Sequence, residues 1–345
     1  MSSRLFPILC LGIASAACST AQTKAERFMK AGDGYVAAGR NHAAVIEYLN
    51  AIKQTPESSV AHRKLGLAHL AAGDADTAYR SFTKAVDLDP SDVEPRLEAA
   101  RLLLRAGMND LAQVRAEQVL ERDPENLDAQ IIAARALARL RRTDEAIARL
   151  TLMTVTKKDA RAFLAVGEIK DRADDIGGAE RAYLDAIASD PGLVEARTTY
   201  AAFLLEFDRV DEAEAQLTKA HESAPDDEMT NRALAAMYLA TERPDAAEAY
   251  LRRAADRPVQ KLHSSLALAD FYGSLGRYDD AKAALSRVAR AESADAAAAQ
   301  VRLAALEYAS GSRDEGRRLL ARVIKRHPTP EALALEARFN EAEGR

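Results

Sequence analysis

From Ser59 to Asp92 the chain reads SVAHRKLGLAHLAAGDADTAYRSFTKAVDLDPSD, with Leu65, Gly66, Ala78, Phe82, Ala85 and Pro90 at the spacing of two amphipathic helices and a turn. The same alternation of apolar and polar positions returns from starts at Ala25, Ser59, Val93, Leu127, Ala160, Val194, Glu228, Leu262 and Ala297. A repeat of about thirty-four residues predicts an array of helical hairpins. The nine units are 25–58, 59–92, 93–126, 127–159, 160–193, 194–227, 228–261, 262–296 and 297–330.

The eighth residue of every unit is small: Gly32, Gly66, Ala100, Ala134, Gly167, Ala201, Ala235, Ala269 and Ala304. The twentieth is alanine from Ala44 to Ala281 and Gly316 in the last unit. Small residues on facing helices let two backbones approach closely. Position 24 carries Tyr48, Phe82, Leu150, Tyr183, Leu217, Leu251, Leu285 and Leu320, an apolar stripe along the second helix. Gly39, Gly73, Gly107, Gly276 and Gly311 stand where the first helix must end. Pro56, Pro90, Pro124, Pro191, Pro225 and Pro328 stop the second.

This pattern resembles the tetratricopeptide repeat family over residues 25 to 330. The resemblance implies an all-α, right-handed α-solenoid of about nine hairpins plus a terminal helix, non-enzymatic and built to bind a protein or peptide in a concave groove. Within that family, KAGDGYVAAGRNHAAVIEYLNAI near the start and ALALEARFNEAEGR at the end look like multi-repeat lipoproteins encoded beside exopolysaccharide-export and protein-sorting (PEP-CTERM) systems.

Three places depart from the period. The fourth unit ends LTLMTVTKKDA without its proline and is one residue short, the seventh breaks at Arg257-Pro258, and the eighth runs into AESADAAAAQ. Small changes of superhelical twist are expected there, around Lys157 and Val259 especially. Residues 331–345 match the first helix of a tenth unit. They are expected to be either a capping helix, with Asn340, Glu341 and Glu343 on its polar face, or the start of a longer array.

Composition agrees with helices: 48% hydrophobic, 29% charged, no Trp, and few Gly and Pro. With 48 Lys+Arg against 53 Asp+Glu the net charge is −5, which argues against nucleic acid as a partner. Both cysteines, Cys10 and Cys18, precede the repeats, so the repeats hold no disulfide or Cys-based metal site.

The first residues read as a targeting segment. Arg4 precedes the short apolar run Leu5–Ala14, and Ser15, Ala16 and Ala17 lead to Cys18. Residues 1–17 are expected to be a signal peptide of lipoprotein type and 18–24 a polar tether. Cys18 after two alanines resembles the lipobox of bacterial lipoproteins, although Ser15 stands where that box usually has Leu. The resemblance implies a lipidated Cys18, and Ser19 implies sorting to the outer membrane, facing the periplasm. Cleavage after Ala16 is the alternative, leaving a soluble periplasmic or secreted protein.

Catalytic and cofactor signatures are missing: no HExxH, GxxxxGK[ST] or strand-associated GxGxxG occurs. His62 and His69 lie on one helix, and His69 fills the slot of Tyr35 and Tyr238, as a packed imidazole would. Acidic pairs such as Asp174-Asp175 and Asp226-Asp227 fall in loops or first helical turns. No catalytic, cofactor or metal residue is therefore expected.

One cluster suggests binding. Positions 9 and 13 of repeats three and four are Arg101, Arg105, Arg135 and Arg139, with Arg63 and Arg161 nearby in neighbouring units. The family resemblance places position 9 on the concave surface. Guanidinium groups on adjacent helices suit a carboxylate- or phosphate-bearing partner; the alternative is a solvated face paired with Glu94, Glu98 and Asp128. The two-site carboxylate clamp of some relatives is not matched, because Met29 and Asp33 stand at its positions. The leading expectation is an envelope-tethered protein scaffold for assembly or export. The others are an anionic-polysaccharide-binding export component and the targeting arm of a longer protein.

Overall fold

In the computed structural model, residues 8–256, 261–290 and 294–344 are described. They fold as helical hairpins grouped into two compact units, 1–191 and 192–345. The first unit holds α1 (Ile8–Ala37), α2 (Asn41–Gln54), α3 (Ser59–Ala71), α4 (Ala75–Leu88), α5 (Glu94–Arg105), α6 (Asn109–Leu120), α7 (Leu127–Arg139), α8 (Thr143–Thr151), α9 (Ala160–Arg172) and α10 (Ile176–Ser189). The second holds α11 (Val194–Glu206), α12 (Val210–Ser223), α13 (Glu228–Ala240), α14 (Pro244–Ala255), α15 (Lys261–Ser274), α16 (Tyr278–Ala289), α17 (Ala294–Ala309), α18 (Arg313–Arg326) and α19 (Pro330–Ala342). Each odd-numbered helix through α17 is the first of a repeat, as the periodicity predicts.

Local chemistry marks both ends of these helices. Ser58, Asp74, Asn126, Asp159, Asp175, Asp227 and Thr329 each accept a hydrogen bond from a backbone N–H of the first turn. Asp175 and Asp227, members of two acidic pairs, are thus helix caps. The chain leaves the first helix through a left-handed residue at position 15. Gly39, Gly73, Gly107, Gly276 and Gly311 take it at φ 68°, 85°, 76°, 70° and 98°. In the four repeats without glycine, Arg141, Asp174, Asp208 and Glu242 are held at φ 64°, 60°, 57° and 56°, at some steric cost.

Packing within a hairpin follows a size rule. The alanines at position 20, Ala44 through Ala281, are fully buried. Where position 24 is aromatic, position 8 is glycine: a Cβ on Gly32, Gly66 or Gly167 would lie 2.5, 2.6 or 2.5 Å from the ring of Tyr48, Phe82 or Tyr183. Where position 24 is Leu or Ala, position 8 is alanine, as in Ala134 with Leu150 and Ala100 with Ala116. Gly316 breaks the alanine run because a Cβ there would stand 2.7 Å from the Ala304 carbonyl oxygen.

The short fourth repeat closes differently from its neighbours. After α8 the backbone widens into a π-turn, Leu152–Thr156, and Lys158 turns the chain at φ 50°. The joint at Arg257-Pro258 and Val259 lies outside the described residues. Residues 18–24, expected to be a tether, are helical and continuous with α1, because no helix-breaking residue separates them from the first repeat. The Cys18 side chain and residues 1–7 also lie outside the described set. Among the described residues no helix is long and apolar enough to cross a membrane.

Candidate functional site

Within the first unit α5 packs on α7 and α7 on α9; within the second, α11 packs on α13, α15 on α17 and α17 on α19. First helices in direct contact form the inner layer of a helical-hairpin stack, with second helices outside. Their free faces are the candidate binding surfaces.

On the first unit that face is charged, and its charges are spent on one another. Arg101 Nη1 donates to Glu98 Oε1 on its own helix at 2.5 Å, while Nη2 lies 3.3 Å from Asp128 on the next first helix. Asp128 also binds Arg161 of the following repeat. Arg135 Nε and Nη2 meet Glu168 of α9 at 2.8 and 2.7 Å. Arg139 Nη1 donates to the carbonyl oxygen of Leu104, and Arg63 Nε stands 3.3 Å from Asp92. Arg105 is exposed and, among the described residues, makes no ion pair or hydrogen bond. The structure therefore joins Arg101, Arg135 and Arg161 into a ladder that couples three successive repeats, and Arg105 stands beside it.

At the start of this unit, Asp33 takes hydrogen bonds from Lys64 Nζ at 2.6 Å and Tyr48 Oη at 2.8 Å. Burial would raise the Asp33 pKa, but these two donors outweigh it and hold the carboxyl below its usual range. Burial and the Asp33 carboxylate push the Tyr48 phenol up. In the second repeat His69 Nδ1 lies 3.5 Å from Asp74 Oδ2; burial lowers its pKa against the pull of Asp74, as for a packed imidazole. Among the described residues no cluster of three His, Cys, Asp or Glu could hold a metal ion.

On the second unit the inner face is mostly small and apolar. Ala202, Ala236 and Leu239 are exposed on it, with Leu205 half-buried. It deepens between α15, α17 and α19 into a groove of about 350 Å³, whose floor includes Leu266, Val301, Ala305 and Leu335. Arg302 and Arg338 stand at its edge. Arg302 is tied to Asp270 at 2.9 Å, whereas Arg338 is exposed and without an ion pair or hydrogen bond among the described residues. Burial raises the Asp270 pKa, opposed by Arg302.

Sequence reading missed three features. The first is this groove, which is assembled from residues more than sixty positions apart. The second is a pair of matching clips: Glu214 of α12 accepts from Tyr238 Oη at 2.8 Å and Arg243 Nη2 at 2.7 Å, and Glu248 of α14 accepts from Tyr272 Oη at 3.0 Å and Arg277 Nη1 at 2.8 Å. In each, the guanidinium lies over the tyrosine ring, 4.6 and 4.5 Å from its centroid. The signal was a Tyr at position 11, an Arg at position 16 and a Glu at position 21 of the preceding repeat. The third lies at position 4 of the first helix. His62 Nε2, Gln130 Nε2 and Asn231 Nδ2 sit 3.1, 2.6 and 2.9 Å from the carbonyl oxygens of Pro56, Pro124 and Pro225 in the preceding turn. Phe28 and Phe163 occupy position 4 where no such proline precedes.

Family models described as tetratricopeptide repeat match residues 29–93, 120–293 and 274–339. The second of these alone spans half of the chain, and the chain belongs to the tetratricopeptide repeat family. Among solved structures, a tetratricopeptide repeat protein from Parabacteroides merdae is 17% identical over 71% of this chain and 98% of its own, with a TM-score of 0.50. Yeast Tom70 is 13% identical over 93% of this chain and 89% of its own, with a TM-score of 0.51. TTC0263 of Thermus thermophilus, a thermophilic TPR protein, is 26% identical over 53% of this chain and all of its own, with a TM-score of 0.46. No curated protein matches significantly. The first two likenesses speak for the fold, an all-α tetratricopeptide solenoid. Its repeats support a protein-interaction scaffold, and proteins of this fold are generally non-enzymatic.

Proposed function

We propose that this protein is an envelope-tethered scaffold that holds an extended segment of a client protein on the inner face of its second unit during assembly or export. The observation that carries the reading is the groove floored by Leu266, Val301, Ala305 and Leu335, with Arg338 exposed at its edge. Aliphatic side chains of the client would cover the floor, and a carboxylate would meet Arg338. The Leu5–Ala14 run ending at Cys18 supports tethering through an N-terminal lipid, in an outer membrane facing the periplasm. The likeness to lipoproteins encoded beside exopolysaccharide-export and PEP-CTERM systems supports the process.

Two measurements test it. Wild type should partition with membranes and Cys18→Ser with the soluble fraction; identical partitioning would remove the tether. Peptides selected on the immobilised protein from a random displayed library should be aliphatic with an acidic residue, and should lose binding to Val301→Asp.

A second reading, an anionic polysaccharide held along Arg63, Arg101, Arg105, Arg135, Arg139 and Arg161, is favoured by the exposed Arg105, which makes no ion pair among the described residues. Binding of a polyuronate that falls steeply with salt and is lost in Arg105→Glu with Arg139→Glu would select it.

A further inference from the structure

Repeat three departs from the position-4 rule in a way that leaves charge without a counter-charge. Arg96 is only 7% exposed. Its Nη2 makes a long, 3.3 Å bond to the Pro90 carbonyl oxygen, while Nε and Nη1 are buried with no partner. Arg122 Nη1 donates to that same oxygen at 2.5 Å, so the two guanidinium groups are neighbours. Arg115, whose hydrogen bond goes to Gln118 Oε1 at 3.3 Å, adds a third positive charge close enough to act on Arg96. Among the described residues none of the three forms an ion pair. Glu121 acts on Arg96 only through space, and Asp89 feels Arg122 while accepting from Ser91.

A buried guanidinium with orphaned N–H groups beside two like charges is unfavourable unless something compensates it. Shape matching alone does not require arginine here, since Gln130 makes the equivalent bond at 2.6 Å. Burial, reinforced by Arg122 and Arg115, lowers the Arg96 pKa, which describes the same uncompensated charge.

We propose that Arg96, Arg115 and Arg122 form a site for a tetrahedral oxyanion, a phosphate ion or the phosphate group of a larger ligand. Three guanidinium forks offer more donors than the two oxygens of a carboxylate can accept, whereas a phosphate presents an oxygen to each. Arg122 is exposed and provides the entrance. On binding it exchanges the Pro90 oxygen for the anion, which uncovers Arg96 Nη1 and Nε and leaves Arg96 Nη2 on the carbonyl. The site lies beside the turn between α4 and α5, away from the groove of the second unit, and does not depend on that groove's function.

The test uses the full chain and inorganic phosphate. Titration calorimetry, and the thermal midpoint in phosphate against chloride and acetate at equal ionic strength, should show a response specific to phosphate. Arg122→Ala, at an exposed position, should weaken that binding by at least about tenfold, the loss of one charge-assisted contact. Arg96→Gln, which keeps the bond to the turn, should do the same. Equal responses to phosphate, chloride and acetate, or phosphate binding undiminished in either variant, would overturn the proposal. An adventitious ion would show as weak binding shared by all variants, and counts against it. Once phosphate binding is established, co-sedimentation with phosphatidylcholine vesicles carrying phosphatidic acid separates the sources: pelleting lost in Arg122→Ala assigns the site to membrane phosphate, and no pelleting assigns it to a soluble one.

Discussion

The two inner faces share a backbone plan and differ in what their side chains leave available. On the first unit, Arg101, Asp128, Arg161, Arg135 and Glu168 sit close enough to neutralise one another, so a charged ligand must displace carboxylates to reach them. On the second, alanines at 202, 236 and 305 and leucines at 205, 239 and 266 contribute exposed or half-buried apolar surface. Formal charge therefore misleads about which face is ready to bind. The half-buried, solvent-reached pairs of the ladder contribute modest stability each, while removal of apolar surface from water favours association by roughly 25 cal/mol per Å².

The shared packing plan should respond most strongly to change. Ala146→Leu in the first unit and Ala213→Leu in the second each overpack a fully buried position, and each should cost about 1–3 kcal/mol. Denaturant unfolding followed by a probe in each unit should show the loss in the unit that carries the substitution. An unchanged midpoint would mean that these alanines do not face the neighbouring helix as described.

Binding comes next. Val301→Asp should weaken a selected peptide at least tenfold, about 1.4 kcal/mol, while Arg101→Ala with Arg135→Ala should leave it unchanged. The reverse pattern, read by fluorescence anisotropy, would move the ready surface to the first unit.

The left-handed turn residues permit a comparison in the other direction. Arg141→Gly in the first unit and Glu242→Gly in the second replace residues held at φ 64° and 56°. Each should raise stability by about 1 kcal/mol, the steric cost that glycine avoids. No gain in midpoint at either site would show that other contacts hold those turns.

Acid should weaken both units, since Asp33, Asp74 and Asp175 of the first are lowered as well, and in the second it acts through the two clips. Hydrogen bonds from Arg243 and then Tyr238 lower the Glu214 pKa, and a bond from Arg277, opposed by burial and aided by Tyr272, lowers that of Glu248. A carboxylate whose folded pKa is depressed contributes stability above its unfolded pKa of about 4.3, lost as pH falls through the folded value. The second unit should thus weaken as pH falls below about 5. Glu214→Gln with Glu248→Gln should be less stable at pH 7 and flatter against pH. Asp270, raised by burial, has the opposite sign and softens the slope. A double variant as steep as wild type would remove the clips from the account.

The smallest effect belongs to the ladder. Arg101→Ala or Arg135→Ala should change stability by no more than about 0.5 kcal/mol. A larger loss in denaturant would mean that the ladder joins repeats more firmly than surface ion pairs usually do.

Much of the fold could be read from the chain because its determinants are local or repeated. The period and the buried alanines at position 20 recur in nearly every unit and the prolines in most, and nine copies average away the drift of any one. Even the pairing of Gly32, Gly66 and Gly167 with Tyr48, Phe82 and Tyr183 lies open in the sequence once positions 8 and 24 are compared. The left-handed conformation of Arg141 and Glu242 was less visible, since nothing in those residue types announces it. The equivalence of Arg101 and Arg135 was legible, but their partners were only partly so: Glu94 and Glu98 lie within a turn or two on the same helix, whereas Glu168 lies a full repeat away.

By itself, then, the sequence determined the hairpins, their turns and the small contacts inside them, because these depend on residues within about thirty positions and on steric limits that hold in any context. Tertiary structure alone decided which arginines are neutralised, where Arg96 is stranded, and that Leu266, Val301 and Leu335 converge on one groove. Charge pairing and groove formation depend on distances between different repeats, set by how hairpin stacks on hairpin, and a one-dimensional pattern does not carry those distances.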